Sequence, residues 1–307
     1  YNIIEAFDQP WKRVSEGAVG GFWGLFDKDR LDKNVFTGDV SNFPNYKYLG
    51  FGSLLLIFGF SFLLKNSNIS TKRVVLFSFI NTIFAVLYML QMEQFNITVR
   101  SSGEVVWATL VLLTHLAIYY FVLLNIAKES KPKIVGIREI LTNKIFNVDT
   151  LPMILFYSSF IFVLISTIIL AFEGRYRNFE IYIFAISAIS FVLLYGGRFV
   201  NMEFKAFEKL SFIVLLITSI ISFYNEGSLN IFSNIWIIIA LIFTYILFQG
   251  SKNSSFSELK IIAKYIAIFF IFSISLRYGI IADKDIIAQC HLNADTLLCG
   301  FKNQVGY

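Results

Sequence analysis

Charged residues are scarce in this chain. Asp, Glu, Lys and Arg make up 15% of its 307 residues, against 56% hydrophobic. Soluble domains carry about 25% charged residues, so an ordinary soluble fold is excluded and lipid must form part of the solvent. Acids are missing from the middle of every apolar run, which weighs against a proton- or ion-coupled transport path. Lys264 and Arg277 lie near opposite ends of the last run, where long basic side chains snorkel to water. Only two histidines are present. His115 lies inside an apolar run and has no intramembrane second histidine to complete a haem or metal site. It therefore reads as a neutral ring hydrogen-bonded to a neighbouring helix, and neither a metal nor a cofactor is expected. The net charge is +5, yet no basic block is interleaved with aromatics as nucleic-acid binding requires. A signal peptide is also missing. The chain starts at Tyr1 with residues that already read as structured, so a processed or partial chain is expected.

What is present is a series of apolar runs. There are eight: Tyr48–Leu64, Val74–Gln91, Val105–Ala127, Leu151–Phe172, Phe179–Tyr195, Leu210–Tyr224, Ile231–Phe248 and Ile261–Ala282. A spanning helix needs about 20 residues, and most runs meet this. Leu210–Tyr224 is short and must thin the bilayer or borrow flanking residues. None alternates like a membrane β-strand. Asn81, Asn125, Asn201 and the Gly196–Gly197 pair read as helix-packing devices.

Loop charge sets the orientation. Thirteen basic residues fall in one set of loops: Lys65, Lys72, Arg73, Lys128, Lys131, Lys133, Arg138, Lys144, Arg198, Lys205, Lys209, Lys252 and Lys260. The alternate short loops hold three, Arg100, Arg175 and Arg177. Positive loops stay in the cytoplasm, so residues 1–47 and the tail 283–307 are expected outside. Cys290 and Cys299 share that tail, and an oxidising compartment favours a disulfide between them. His291 beside Cys290 carries no further pattern.

Residues 1–47 have the composition of a soluble domain but are too few to bury a core of their own. Residues 1–8 read as a short buried strand stopped by Gln9-Pro10. Trp11, Lys12 and Glu16 follow. After Gly17, Gly20 and Gly21 comes Phe22-Trp23-Gly24-Leu25-Phe26-Asp27.

The run Glu5-Ala6-Phe7-Asp8-Gln9-Pro10-Trp11-Lys12, then Glu16, then Phe22 to Asp27, resembles the end of a family 17 glycoside hydrolase domain. The likeness covers about residues 1–40. It implies the last strand and turn of a (β/α)8 barrel acting on β-1,3-glucans. Bacterial members resembling this chain fuse that barrel to a membrane region and are described as β-glucan synthases or glucanosyltransferases. Active sites of such barrels lie at the C-terminal strand ends. Glu5, Asp8, Trp11, Lys12 and Glu16 are the residue types that hydrogen-bond sugar hydroxyls and stack on a pyranose ring. Gln9 stands where the family pattern often has Glu, and the catalytic carboxylate pair is expected upstream of Tyr1, so no catalytic residue is assigned here.

The expected protein is therefore an all-α polytopic membrane protein of about eight transmembrane helices, preceded by a short α/β remnant. It comprises a glycoside-hydrolase-like end (1–47), a transmembrane domain (48–282) and an extracytoplasmic tail (283–307). Its expected setting is the bacterial inner membrane, with the bilayer and β-glucan polysaccharide as partners and no nucleic acid. The parent protein would be a glycoside hydrolase or transglycosidase. Two alternatives stay open. One is a non-catalytic membrane subunit or transporter. The other makes residues 1–40 a juxtamembrane strip, with Trp11 and Trp23 anchored at the lipid interface.

Overall fold

A computed structural model describes residues 5–12, 16, 20–37, 44–65, 69–99, 102–128, 132–137, 139–140, 150–173, 178–195 and 206–251. The last expected run, Ile261–Ala282, and Asn201, Gly196, Gly197, Lys264, Arg277, Cys290, His291 and Cys299 lie outside the described residues.

The apolar runs form helices: α1 Tyr46–Ser61, α2 Thr71–Thr98, α3 Ser102–Lys128, α4 Leu151–Glu173, α5 Ile181–Tyr195, α6 Ala206–Glu226 and α7 Ile231–Ser251. A 3-10 turn, Phe62–Leu64, extends α1. Five segments are long and apolar enough to cross a membrane: Tyr46–Leu64, Thr71–Thr98, Ser102–Lys128, Leu151–Phe172 and Phe207–Glu226. Ile181–Tyr195 and Ile231–Leu247 are shorter apolar helices. The described residues thus form an all-α bundle of membrane-protein character.

Local chemistry sets the helix ends. Asn230 starts α7 by accepting from the Ser233 amide through its side chain at 3.1 Å, as an N-cap asparagine does. Gly227, at φ 72°, ends α6, in the left-handed conformation that glycine adopts cheaply. Within the helices, hydroxyls bond back to carbonyls one turn earlier, as Thr167 does to Val163 at 2.7 Å and Ser190 to Ile186 at 2.6 Å. This satisfies groups that hydrocarbon cannot.

The helices run alternately up and down. At one end Gln94 of α2 reaches the carbonyl of Phe179 just before α5, Trp107 near the start of α3 reaches Glu180, and Asn225 near the end of α6 reaches the carbonyl of Ala171 near the end of α4. At the opposite end Glu208 of α6 meets Tyr157 of α4 and the Ile137 amide. Helix α5 lies in the middle, packed against α2, α3, α4 and α7. Its Phe191 meets Phe156 edge-on at 4.8 Å, and its Phe184 meets Trp236 edge-on at 5.3 Å. Ring edges and faces of opposite polarity favour such pairs.

Helix α6 is longer than its apolar run. It takes in Ala206–Lys209 and Asn225–Glu226, so the Leu210–Tyr224 run borrows flanking residues to reach 21. Glu208 interrupts the apolar pattern but is only 1% exposed. Its Oε1 accepts from the Tyr157 hydroxyl at 3.1 Å and the Ile137 amide at 3.3 Å, which offsets the cost of burying it.

The strand expected at residues 1–8 is described only from Glu5, and there it forms a single parallel bridge, Phe7 to Phe26. No regular strand occurs among the described residues.

Candidate functional site

The segment ahead of α1 is built from two stretches lying side by side. The amide of Phe26 donates to Ala6 O at 2.9 Å, the Asp8 amide to Phe26 O at 2.9 Å, and the Gln9 amide to Gly21 O at 2.9 Å. Glycine makes this approach possible. A Cβ on Gly24 would lie 2.2 Å from the Asp8 nitrogen, and one on Gly21 would lie 2.9 Å from Pro10 Cα. The second stretch then turns back on itself, with Phe26 bridged antiparallel to Asp32. Asp27 Oδ1 accepts from the Asp29 and Leu31 amides, both at 2.8 Å, and so shapes the turn, as aspartate commonly does. At the exposed tip the Lys28 ammonium donates to Asp29 at 2.6 Å, and this bond raises its pKa above the usual lysine value.

Among the described side chains, Glu5 and Lys12 pair with each other, and Asp8 pairs with Lys33. The Glu5 side chain is 6% exposed. Glu5 keeps its other carboxylate oxygen buried, with no hydrogen-bond partner among the described residues. Its backbone holds φ 80°, a costly conformation for a residue with a side chain.

Asp8 faces inward. Its Oδ1 accepts from the Gly24 amide at 2.9 Å and from Lys33 Nζ at 2.9 Å, and Lys33 also donates to Phe22 O at 2.8 Å. Asp8 thus clasps the returning stretch. Glu16 is half-buried, with one carboxylate oxygen buried and no hydrogen-bond partner among the described residues. The backbone of Trp11 lies in the 3-10 turn Pro10–Lys12, and its side chain lies outside the described residues.

Lys33 and Gly24 are the members that sequence reasoning missed. Lys33 is 25 residues from Asp8, beyond any local pattern, and Gly24 signals only through the space its missing side chain leaves.

In the bundle, His115 is fully buried. Its Nδ1 lies 2.7 Å from Val111 O on its own helix and its Nε2 lies 3.3 Å from Ser159 Oγ on α4. The ring meets Phe184 edge-on at 4.9 Å. Both nitrogens are engaged by protein, which is the hydrogen-bonded arrangement expected of it. Asn81 joins α1 to α2 through a bond from Nδ2 to Ile57 O at 3.0 Å. Asn125 bonds within its own helix, to Phe121 O at 2.7 Å.

A further polar layer caps α5. Gln91 Oε1 accepts from the Ile183 amide at 3.3 Å and Gln91 Nε2 donates to Gln94 at 2.9 Å. Trp107 Nε1 donates to Glu180 at 3.0 Å. Among the described residues, no group of three or more His, Cys, Asp or Glu side chains is arranged to hold a metal ion.

Comparison of the chain with protein-family models, with curated proteins and with solved structures gives no match.

Proposed function

We propose that this chain is the membrane-spanning C-terminal portion of a β-glucan synthase-like or glucanosyltransferase-like protein. In that proposal residues 1–47 end a family 17-like glycoside hydrolase barrel, and the catalytic carboxylates belong to residues before Tyr1. The observation that carries it is the part-buried Glu5–Lys12 pair, set beside the parallel pairing of Phe7 with Phe26. Parallel pairs need a crossover of a dozen or more residues, and the chain between Phe7 and Phe26 is long enough for one. An acid and a base held together on such a frame supply both an acceptor and donors for sugar hydroxyls. The loop charges support an extracytoplasmic position for this segment in a bacterial inner membrane.

The test uses the full-length protein in detergent or nanodiscs and measures binding of a soluble β-1,3-glucan oligosaccharide. Lys12→Ala and Glu5→Gln should each weaken binding about tenfold, the size of a lost charge-assisted hydrogen bond. A parent protein that binds no β-glucan, or variants that bind it as the parent does, would overturn the assignment. The present chain alone should show no glucanase or transferase activity.

A further inference from the structure

We infer that Trp23 is a sugar-stacking platform, a role distinct from that of an interface anchor. The inference rests on the β-glucan proposal above and adds a residue and a mode of recognition to it.

Trp23 is 54% exposed although it lies in the most tightly tied part of the segment. The backbone is fixed on both sides of it. On one side, Phe22 O accepts from Lys33 Nζ at 2.8 Å. On the other, the Gly24 amide donates to Asp8 Oδ1 at 2.9 Å. Both bonds are charge-assisted, the stronger kind, and Asp8 and Lys33 are themselves joined at 2.9 Å. Gly24 is wedged against the backbone of Phe7 and Asp8, where no side chain fits. The pairing of Leu25 with Glu5 and of Gln9 with Gly21 holds the stretch on either side of Trp23. A large ring left exposed in this chain by so constrained a backbone is preorganised for a ligand. It has few rotatable bonds to immobilise when it binds.

The ligand chemistry follows from the ring and from the clasp that holds its backbone. A pyranose presents an apolar C–H face and a rim of hydroxyls. An indole face covers the first, and Lys33, which holds the carbonyl of the preceding Phe22 and whose side chain is 29% exposed, can donate to the second. A lipid-interface anchor needs only an aromatic at the right depth, not a backbone held by an internal aspartate–lysine clasp.

The test again uses the full-length protein and the same soluble β-1,3-glucan oligosaccharide. Trp23→Ala should weaken binding about tenfold or more, while Trp23→Phe, which keeps an aromatic face, should recover most of the loss. Intact proteolytic resistance of the segment in both variants is the check on folding, and Lys33→Met should lower affinity by letting the ring move. If the parent and the Lys12 and Glu5 variants behave as proposed but Trp23→Ala binds like the parent, the Trp23 inference falls alone. A parent that binds no β-glucan removes both. If Trp23→Ala leaves sugar affinity unchanged and the ring is quenched by brominated lipid, Trp23 is an interface anchor and the inference is overturned.

Discussion

The hydroxyl of Tyr119, buried in the middle of α3, bonds to both the backbone and the side-chain oxygen of Asn81 on α2, and Asn81 passes the connection on to Ile57 O at 3.0 Å. Three helices are thus tied at one level by one asparagine and one tyrosine. The Phe60 ring, packed on Tyr119 at 4.3 Å, closes the joint. Among the described residues helix α1 has few other polar ties to the bundle, and its outward face from Tyr46 to Phe62 is largely exposed.

Asn81→Leu should therefore loosen α1 selectively. A loss of about 1–2 kcal/mol is expected, in the range of interhelical hydrogen bonds in membranes. Tyr119→Phe should cost about as much, and a double-mutant cycle in detergent unfolding should show the two losses to be strongly non-additive. Additive losses would mean that the two side chains do not act together.

Gly24→Ala should unfasten the segment ahead of α1, because the added carbon would meet the Asp8 nitrogen at 2.2 Å and the Phe7 carbonyl carbon at 2.3 Å. Backbone cannot yield as a side-chain end can, so a penalty of at least about 1–3 kcal/mol is expected. Limited proteolysis within residues 5–33 would report it. Gly50→Ala is the control, since nothing lies within 4 Å of its added carbon and alanine favours a helix by about 1 kcal/mol.

The Trp107–Glu180 bond predicts an asymmetry. Glu180→Gln keeps an acceptor for the indole N–H and should cost little. Trp107→Phe leaves the Glu180 carboxyl without that donor and should cost about 1–3 kcal/mol. Thermal unfolding in one detergent would rank the two. A more damaging Glu180→Gln would show that the carboxyl has a task beyond accepting from Trp107.

Orientation can be read with cysteines placed at exposed turns, in a background where Cys290 and Cys299 are serine. Ser70→Cys lies just before α2 and Ser228→Cys between α6 and α7, at opposite ends of the bundle. The loop charges predict that a membrane-impermeant thiol reagent applied from outside labels position 228 and not position 70. The reverse pattern would invert the topology.

Most helices were legible because each is a long uninterrupted apolar run, as Leu151–Phe172 shows against the observed Leu151–Glu173. The first turn of α6 was not, because Glu208 looks like a loop residue until Tyr157 and the Ile137 amide are seen to satisfy it. Those partners come from elsewhere in the chain and leave no periodic trace. The same holds ahead of α1. Residues 5–8 look like a strand, yet among the described residues their hydrogen-bonded neighbours are a single short stretch, with one bridge and no ladder. The sequence marked Asp8 as an acid of the segment but gave no sign that Gly24 and Lys33 would be its partners. An acid's identity is visible in sequence, but the direction it faces depends on which distant amide and ammonium reach it first.

The position of α5 has a mechanical consequence. Its described span, Ile181–Tyr195, is packed against α2, α3, α4 and α7. Nine of its residues are buried, and its first turn is capped by the side chain of Gln91. For much of its length its solvent is therefore other helices. Lipids of different chain length should act mainly on the rim, on α1 above all, and should be felt far less at the aromatic centre. In a membrane such a bundle would keep a core shielded from bilayer thickness and a periphery that adjusts to it.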